Sequence, residues 1–144
     1  MADSIYALGT PVGRSAVAVI RVSGSGFSKG FIKFLNIPVE KKGSWLRSLD
    51  LGGFSDQCLV LNFPGSNSYT GEHVVEIHCH GNPIIVTEIF SWLEGLGIRE
   101  AERGEFSKRA YLNEKITLDQ AEAISLGIEA GSIDDLAAMD SFRS

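Results

Sequence analysis

Residues 68–82 read "SYTGEHVVEIHCHGN" and contain every histidine of the chain, His73, His78 and His80, together with Cys79. The run from His73 to His80 predicts a strand. Successive strand side chains point to opposite faces. Val74, Glu76, His78 and His80 therefore share one face, and His73, Val75, Ile77 and Cys79 the other. Beyond its first residue the second set is the more apolar, which predicts that it meets a layer of helices, with Cys79 a small buried hydrophobe. Gly81-Asn82-Pro83 follows at once. Asn82 fits an N-cap and Pro83 the first helical position, where its missing N–H costs nothing. Val86, Ile89, Phe90, Leu93 and Leu96 form one apolar stripe on that helix, and Gly95 and Gly97 supply its stop. This stretch alone predicts a sheet with helices laid on one face.

Upstream, "SAVAVIRVSG" is almost continuously apolar from Ala16 to Val22 and predicts a strand buried on both faces. A Ser/Gly turn follows. Phe27, Phe31 and Phe34/Leu35 at helical spacing predict a short amphipathic helix over roughly 26–36, stopped by Asn36-Ile37-Pro38. Trp45 to Leu51 and "CLVLNF" (58–63), joined through Gly52-Gly53, predict a hairpin.

Downstream, "IREAE" (98–102) is expected as an edge strand and "GEFSKRAYLNEK" (104–115) as a helix. Thr117 and Gln120 have the capping-box spacing for a next helix whose buried face is Leu118, Ala121, Ile124 and Ile128. Gly131-Ser132 ends it, and Ser132 caps a further helix toward Ser144. That last helix builds almost no apolar face and is marginal alone, so the chain reads as the N-terminal part of something larger, or as half of an assembly.

The totals bound the function. The 144 residues suffice for one domain with a real core. Apolar residues make up 44% and charged residues 22%, which argues against general disorder. A net charge of −5 without a basic run makes a poor autonomous nucleic-acid binder. No apolar run approaches the roughly 18 residues of a membrane span. The start "MADSIYALGTPVG" lacks the pattern of a signal peptide, so Cys58 and Cys79 are expected as free thiols in a reducing cytosol. The dipeptide Gly-Lys occurs nowhere, which excludes a P-loop and assigns no nucleotide hydrolysis to these residues.

Three readings of the histidine stretch stand side by side. The histidines can simply build a sheet. Glu76, His78 and His80 can hold a metal, although nothing elsewhere completes a ligand set. Or the face can line a polar ligand pocket. Glu76 favours the pocket. It is a charge between Val75 and Ile77, where it needs a partner: an arginine, a metal, or a planar N–H pair such as the aminopyrimidinone edge of a pterin or guanine. Arg21 matches it as the only charge in the apolar run 16–22, placed either to pair with a core carboxylate or to meet an anion.

Three segments, "TPVGRSAVAVIRVSG", "FPGSNSYTGEHVVEIHCHGNP" and "RGEFSKRAYLNEKITLDQAEAI", in this order and spacing, resemble the N-terminal domain of the tRNA modification GTPases of the MnmE (TrmE) family. The resemblance implies an α/β (α+β) fold with a mixed β-sheet and helices packed on it, similar to folate-dependent aminomethyltransferases. It implies that residues 1–116 bind 5-formyltetrahydrofolate, a reduced folate, and form a homodimer, and that 117–144 begin a helical domain. By matching motif positions it assigns folate contacts to Arg21, Glu76 and Lys115; Lys115 by itself reads as a solvated helix-end charge. GTP, magnesium and potassium would belong to a GTPase domain that this chain lacks. The partners implied are the flavoprotein MnmG (GidA) and tRNA, in a cytoplasmic setting, for an aminomethyl-type modification of the wobble uridine. Three turns depart from the family pattern: Gly13-Arg14-Ser15-Ala16, His80-Gly81-Asn82 and Arg103-Gly104-Glu105-Phe106.

Overall fold

The structure, a computed structural model, describes residues 3–10, 15–65 and 68–129. Six strands and four helices follow one another as β1 (Ile5–Leu8), β2 (Ser15–Gly24), α1 (Lys29–Leu35), β3 (Gly43–Asp50), β4 (Ser55–Phe63), β5 (His73–Gly81), α2 (Pro83–Gly95), β6 (Arg99–Glu100), α3 (Glu105–Leu112) and α4 (Leu118–Glu129). The strands form one mixed sheet of order β3-β4-β5-β2-β1-β6, antiparallel except for the parallel β1–β6 pair. The fold is α/β, as expected.

Local chemistry sets most element ends. Ser28 caps α1 by accepting from the Phe31 N–H at 3.2 Å, so that helix starts three residues later than its phenylalanine spacing indicates. Asn36 closes α1 in the left-handed region. Asn82 accepts from the Ile84 N–H at 2.8 Å and Pro83 opens α2. The β3–β4 hairpin turns at Gly52 and Gly53, both at positive φ, with Asp50 opposite Ser55. Thr117 and Gln120 form the reciprocal capping box, each backbone N–H donating to the other's side-chain oxygen at 2.8 and 3.2 Å.

The main core lies on one face of the sheet. Ala18, Ile20 and Val22 of β2, Val75, Ile77 and Cys79 of β5 and Cys58 and Val60 of β4 meet Phe31 and Leu35 of α1 and Ile89 and Leu93 of α2. A smaller cluster joins Ile5, Tyr69, Phe106, Ala110, Ile116 and Ile124 on the opposite face, where α3 and α4 cover one end of the sheet.

Three expectations are corrected. First, β2 is not buried on both faces: Val17 is 49% exposed, and Val19 and Arg21 are half-buried, because α1 and α2 cover only the face of Ala18, Ile20 and Val22. Second, Leu118, placed on the buried face of α4, is 51% exposed, since the helix is anchored through Ile124. Third, the helix expected over 104–115 runs only from Glu105 to Leu112, because Glu114 takes a positive φ that ends it. Residues 13 and 14 of the expected Gly13–Ala16 turn, the side chain of Ile128, the expected stop at Gly131-Ser132 and the expected helix toward Ser144 lie outside the described residues.

Candidate functional site

Two cross-strand rows build the face of the sheet that is turned away from α1 and α2. One runs Ser44, Leu61, Glu76, Arg21, Ala7 over β3, β4, β5, β2 and β1. The next runs Leu46, Leu59, His78, Val19. Glu76 thus stands between an aliphatic neighbour on β4 and a cation on β2, with His78 two residues along its own strand.

Arg21 Nε donates to Glu76 Oε2 at 2.7 Å. His78 Nε2 meets Glu76 Oε1 at 2.9 Å. The Arg21 and Glu76 side chains are each 14% exposed, and that of His78 26%. Burial pushes the Glu76 carboxyl up, but the His78 and Arg21 hydrogen bonds and the Arg21 charge outweigh it and hold the carboxyl below its ordinary range. Glu76 is therefore a carboxylate at neutral pH, with each oxygen already accepting one bond. Around this polar group the shelf is apolar: Leu59, Leu61 and Val19 are half-buried, and Leu46 is 63% exposed.

Lys115 is not joined to this pair by any ion pair among the described residues. It follows α3, its backbone N–H donating to the Ala110 carbonyl at 2.8 Å. Its Cγ lies 3.5 Å from where a Cβ on Gly71 would stand. An open depression of about 470 Å³ beside it is lined by Tyr111, Leu112, Glu114, Lys115, Ile116, Thr117 and Gln120, and by neither Arg21 nor Glu76. Glu72, next to Gly71, accepts from Ser23 Oγ at 2.8 Å, and Ser23 is two residues from Arg21 on β2.

The three histidines have separate partners. His73 Nε2 meets Asn62 Oδ1 at 2.5 Å and stacks near Phe27, on the helix side. His80 Nδ1 meets Asp56 Oδ1 at 2.5 Å, and its backbone N–H donates to Asp56 Oδ2 at 3.1 Å. Glu76, His78 and His80 share a strand face but do not converge. Among the described residues no group of three histidine, cysteine or acidic side chains is placed to hold a metal ion.

Other polar groups escaped the sequence. Arg109, 7% exposed, donates to the Asp3 carbonyl at 2.7 Å, Glu72 Oε1 at 3.0 Å, Asp3 Oδ1 at 3.0 Å and Glu105 Oε2 at 3.2 Å. This network ties β1, the β4–β5 connection and α3 together. The i,i+4 spacing of Glu105 and Arg109 was its one sequence signal. Gly26-Phe27-Ser28-Lys29-Gly30 has the spacing of a nucleophile elbow, but its serine is the N-cap of α1.

Comparison with known proteins agrees with this architecture. The family described as "GTP-binding protein TrmE N-terminus" matches residues 4–115. The tRNA modification GTPase MnmE of Maricaulis maris (strain MCS10) is 44% identical over 133 residues, covering 90% of this chain and 30% of that protein. The protein of the same name from Coxiella burnetii (strain Dugway 5J108-111) is 39% identical over 143 residues, covering 99% of this chain and 31% of that protein. That from Buchnera aphidicola subsp. Baizongia pistaciae (strain Bp) is 46% identical over 135 residues, covering 90% and 29%. The chain spans about three-tenths of the length of these curated relatives. With the match running from β1 through the end of α3, the chain belongs to the TrmE N-terminal family, that of the N-terminal domain of MnmE.

Proposed function

We propose that this domain binds a reduced folate, 5-formyltetrahydrofolate, on the open face of its sheet, and that it forms a homodimer. The observation that carries the reading is Glu76: an ionised, largely buried carboxylate between Leu61 and Arg21, beside an aliphatic shelf of Leu46, Leu59 and Val19. A carboxylate has about four acceptor sites, of which two are taken here. The remainder suit the ring N–H and exocyclic amine of a pteridine, and charge-assisted bonds of this kind contribute on the order of 1.5–3 kcal/mol each. The shelf offers apolar surface to the flat ring. Arg21 fixes Glu76 and brings positive charge to the face, and Lys115 serves the anionic or carbonyl parts of the cofactor. Leu46 and Val17, exposed on this same face, are apolar surface for a second copy to cover.

Within a complete protein, the domain would present a one-carbon unit for aminomethyl-type modification of the tRNA wobble uridine. GTP hydrolysis, with magnesium and potassium, would fall to another domain, and a flavoprotein of the MnmG (GidA) kind would be the partner. Among the described residues no helix is long and apolar enough to cross a membrane.

Calorimetric titration with 5-formyltetrahydrofolate tests the reading. Glu76→Ala is expected to weaken binding at least about tenfold, roughly 1.4 kcal/mol. Equal affinity in wild type and variant rejects the site.

A scaffold reading has one observation in its favour: each oxygen of Glu76 already accepts a bond, from Arg21 and from His78. A dimer by gel filtration with no folate heat would select this reading, a dimerisation module with a degenerate site.

A further inference from the structure

His78, offered by the sequence only as a candidate metal ligand, is in no metal-holding group among the described residues. It shares the open face with Glu76 and is flanked by Val19 and Leu59 on the neighbouring strands. Its Nε2 lies 2.9 Å from Glu76 Oε1. Because Glu76 is ionised and its oxygens only accept, Nε2 must carry the proton in that bond. A neutral imidazole has one N–H, so Nδ1 is then left with a lone pair. Each histidine bonds through one ring nitrogen, but only His78 does so to the carboxylate of Glu76 on the open face, and among the described residues its Nδ1 has no hydrogen-bond partner. A carboxylate that fixes an imidazole tautomer and leaves the other nitrogen to face a ligand is a recurring arrangement at sites.

We infer that His78 is a ligand-contacting residue, held by Glu76 in the Nε2–H tautomer so that Nδ1 accepts a hydrogen bond from an N–H donor of the bound heterocycle. The inference rests on the folate reading above and deepens it. The pteridine's donors are shared between Glu76 and His78, and Glu76 acts partly by orienting its neighbour. The role differs from that of a structural histidine, which would act only by steadying Glu76.

Two substitutions separate these roles. The amide of Gln reaches the position of Nε2, so His78→Gln keeps a donor to Glu76 but removes the Nδ1 acceptor. The amide of Asn reaches the position of Nδ1, so His78→Asn keeps an acceptor there but loses the bond to Glu76. With 5-formyltetrahydrofolate as the titrant, His78→Gln is expected to lose about tenfold or more in affinity, and His78→Asn to lose less. Wild-type affinity in His78→Gln overturns the inference while leaving the folate reading standing, provided Glu76→Ala still weakens binding at least about tenfold. Absence of folate binding by the wild type overturns both. Long-range ¹H–¹⁵N correlation of the free wild-type domain gives a readout independent of binding and of any variant's folding. For the neutral imidazole of His78 it is expected to show the proton on Nε2 and a bare Nδ1, and the opposite tautomer overturns the inference.

Discussion

Arg21 and Glu76 are direct cross-strand partners on β2 and β5, and a 2.7 Å bond from guanidinium to carboxylate joins them on the sheet face turned away from α1 and α2. Each side chain is mostly withdrawn from water, so each depends on the other. Arg21→Ala, which leaves Glu76 charged and half-satisfied, is expected to destabilise the domain by about 2 kcal/mol. The double variant Arg21→Ala/Glu76→Ala should lose less than the sum of the two single variants. Urea unfolding of the four proteins gives the coupling directly, and strict additivity would show that the pair does not interact in solution.

The same pair sets an acid dependence. Glu76 has its carboxyl held below the ordinary range in the folded state. Its contribution is thus fully present above the unfolded carboxyl's value of about 4.3 and is lost as pH falls through the lower folded value. Glu105, brought down to about 2 chiefly by its bond from Arg99 and against burial, acts in the same direction. Stability of the wild type should fall on acidification below roughly pH 4.3, and Glu76→Gln should flatten that fall. Urea midpoints from pH 3 to 7 measure both; an unchanged slope in the variant contradicts the assignment.

Gly71 and Gly65 provide a matched test of the β4–β5 connection, against which Lys115 packs. Both are in the left-handed region, at φ 82° and 61°. A Cβ on Gly71 would come 2.6 Å from Asn113 Cβ, whereas among the described residues nothing lies within 4 Å of one on Gly65. Gly65→Ala should therefore cost about 1 kcal/mol from backbone strain alone, and Gly71→Ala 2 kcal/mol or more. The clash at Gly71 also pushes on the Asn113 side chain that donates to the Thr70 carbonyl at 2.9 Å. Thermal or urea melts that rank the two variants equally would remove the close approach as the reason for a glycine at 71.

Cys58 and Cys79 are buried on the helix side of the sheet. Burial first, and then the nearby Asp56 carboxylate, pushes the Cys79 thiol up to about 11; Cys58 is driven higher still by burial and Asp56. Since the thiolate is the reactive species, neither should react with an aromatic disulfide reagent at pH 8 in the native state, and both should react in urea. Rapid native labelling of either thiol would contradict this packing.

The local elements were written in the sequence because their causes are local. Alternation over 73–80 sorted Glu76 and His78 from Val75 and Ile77, and the two faces proved to be the open and the helix-covered sides. Asn82-Pro83 and Thr117/Gln120 cap through bonds spanning two or three residues, so residue type and spacing suffice to read them. Tertiary structure decided the rest. The edge strand expected within 98–102 is there as β6, but the four residues of β1 are too short to show a period, and the parallel β1–β6 pairing joins segments more than ninety positions apart. Whether the second face of β2 was covered depended on where α1 and α2 came to lie, which strand hydrophobicity does not encode. Arg21 and Glu76 were each conspicuous as charges in apolar runs, but only the β2–β5 register made them one ion pair. Neighbouring β4 supplied Asn62 and Asp56 as partners for His73 and His80, while His78 took Glu76 on its own strand. A side chain's type limits the partners it can take, but the pairing of distant strands selects among them.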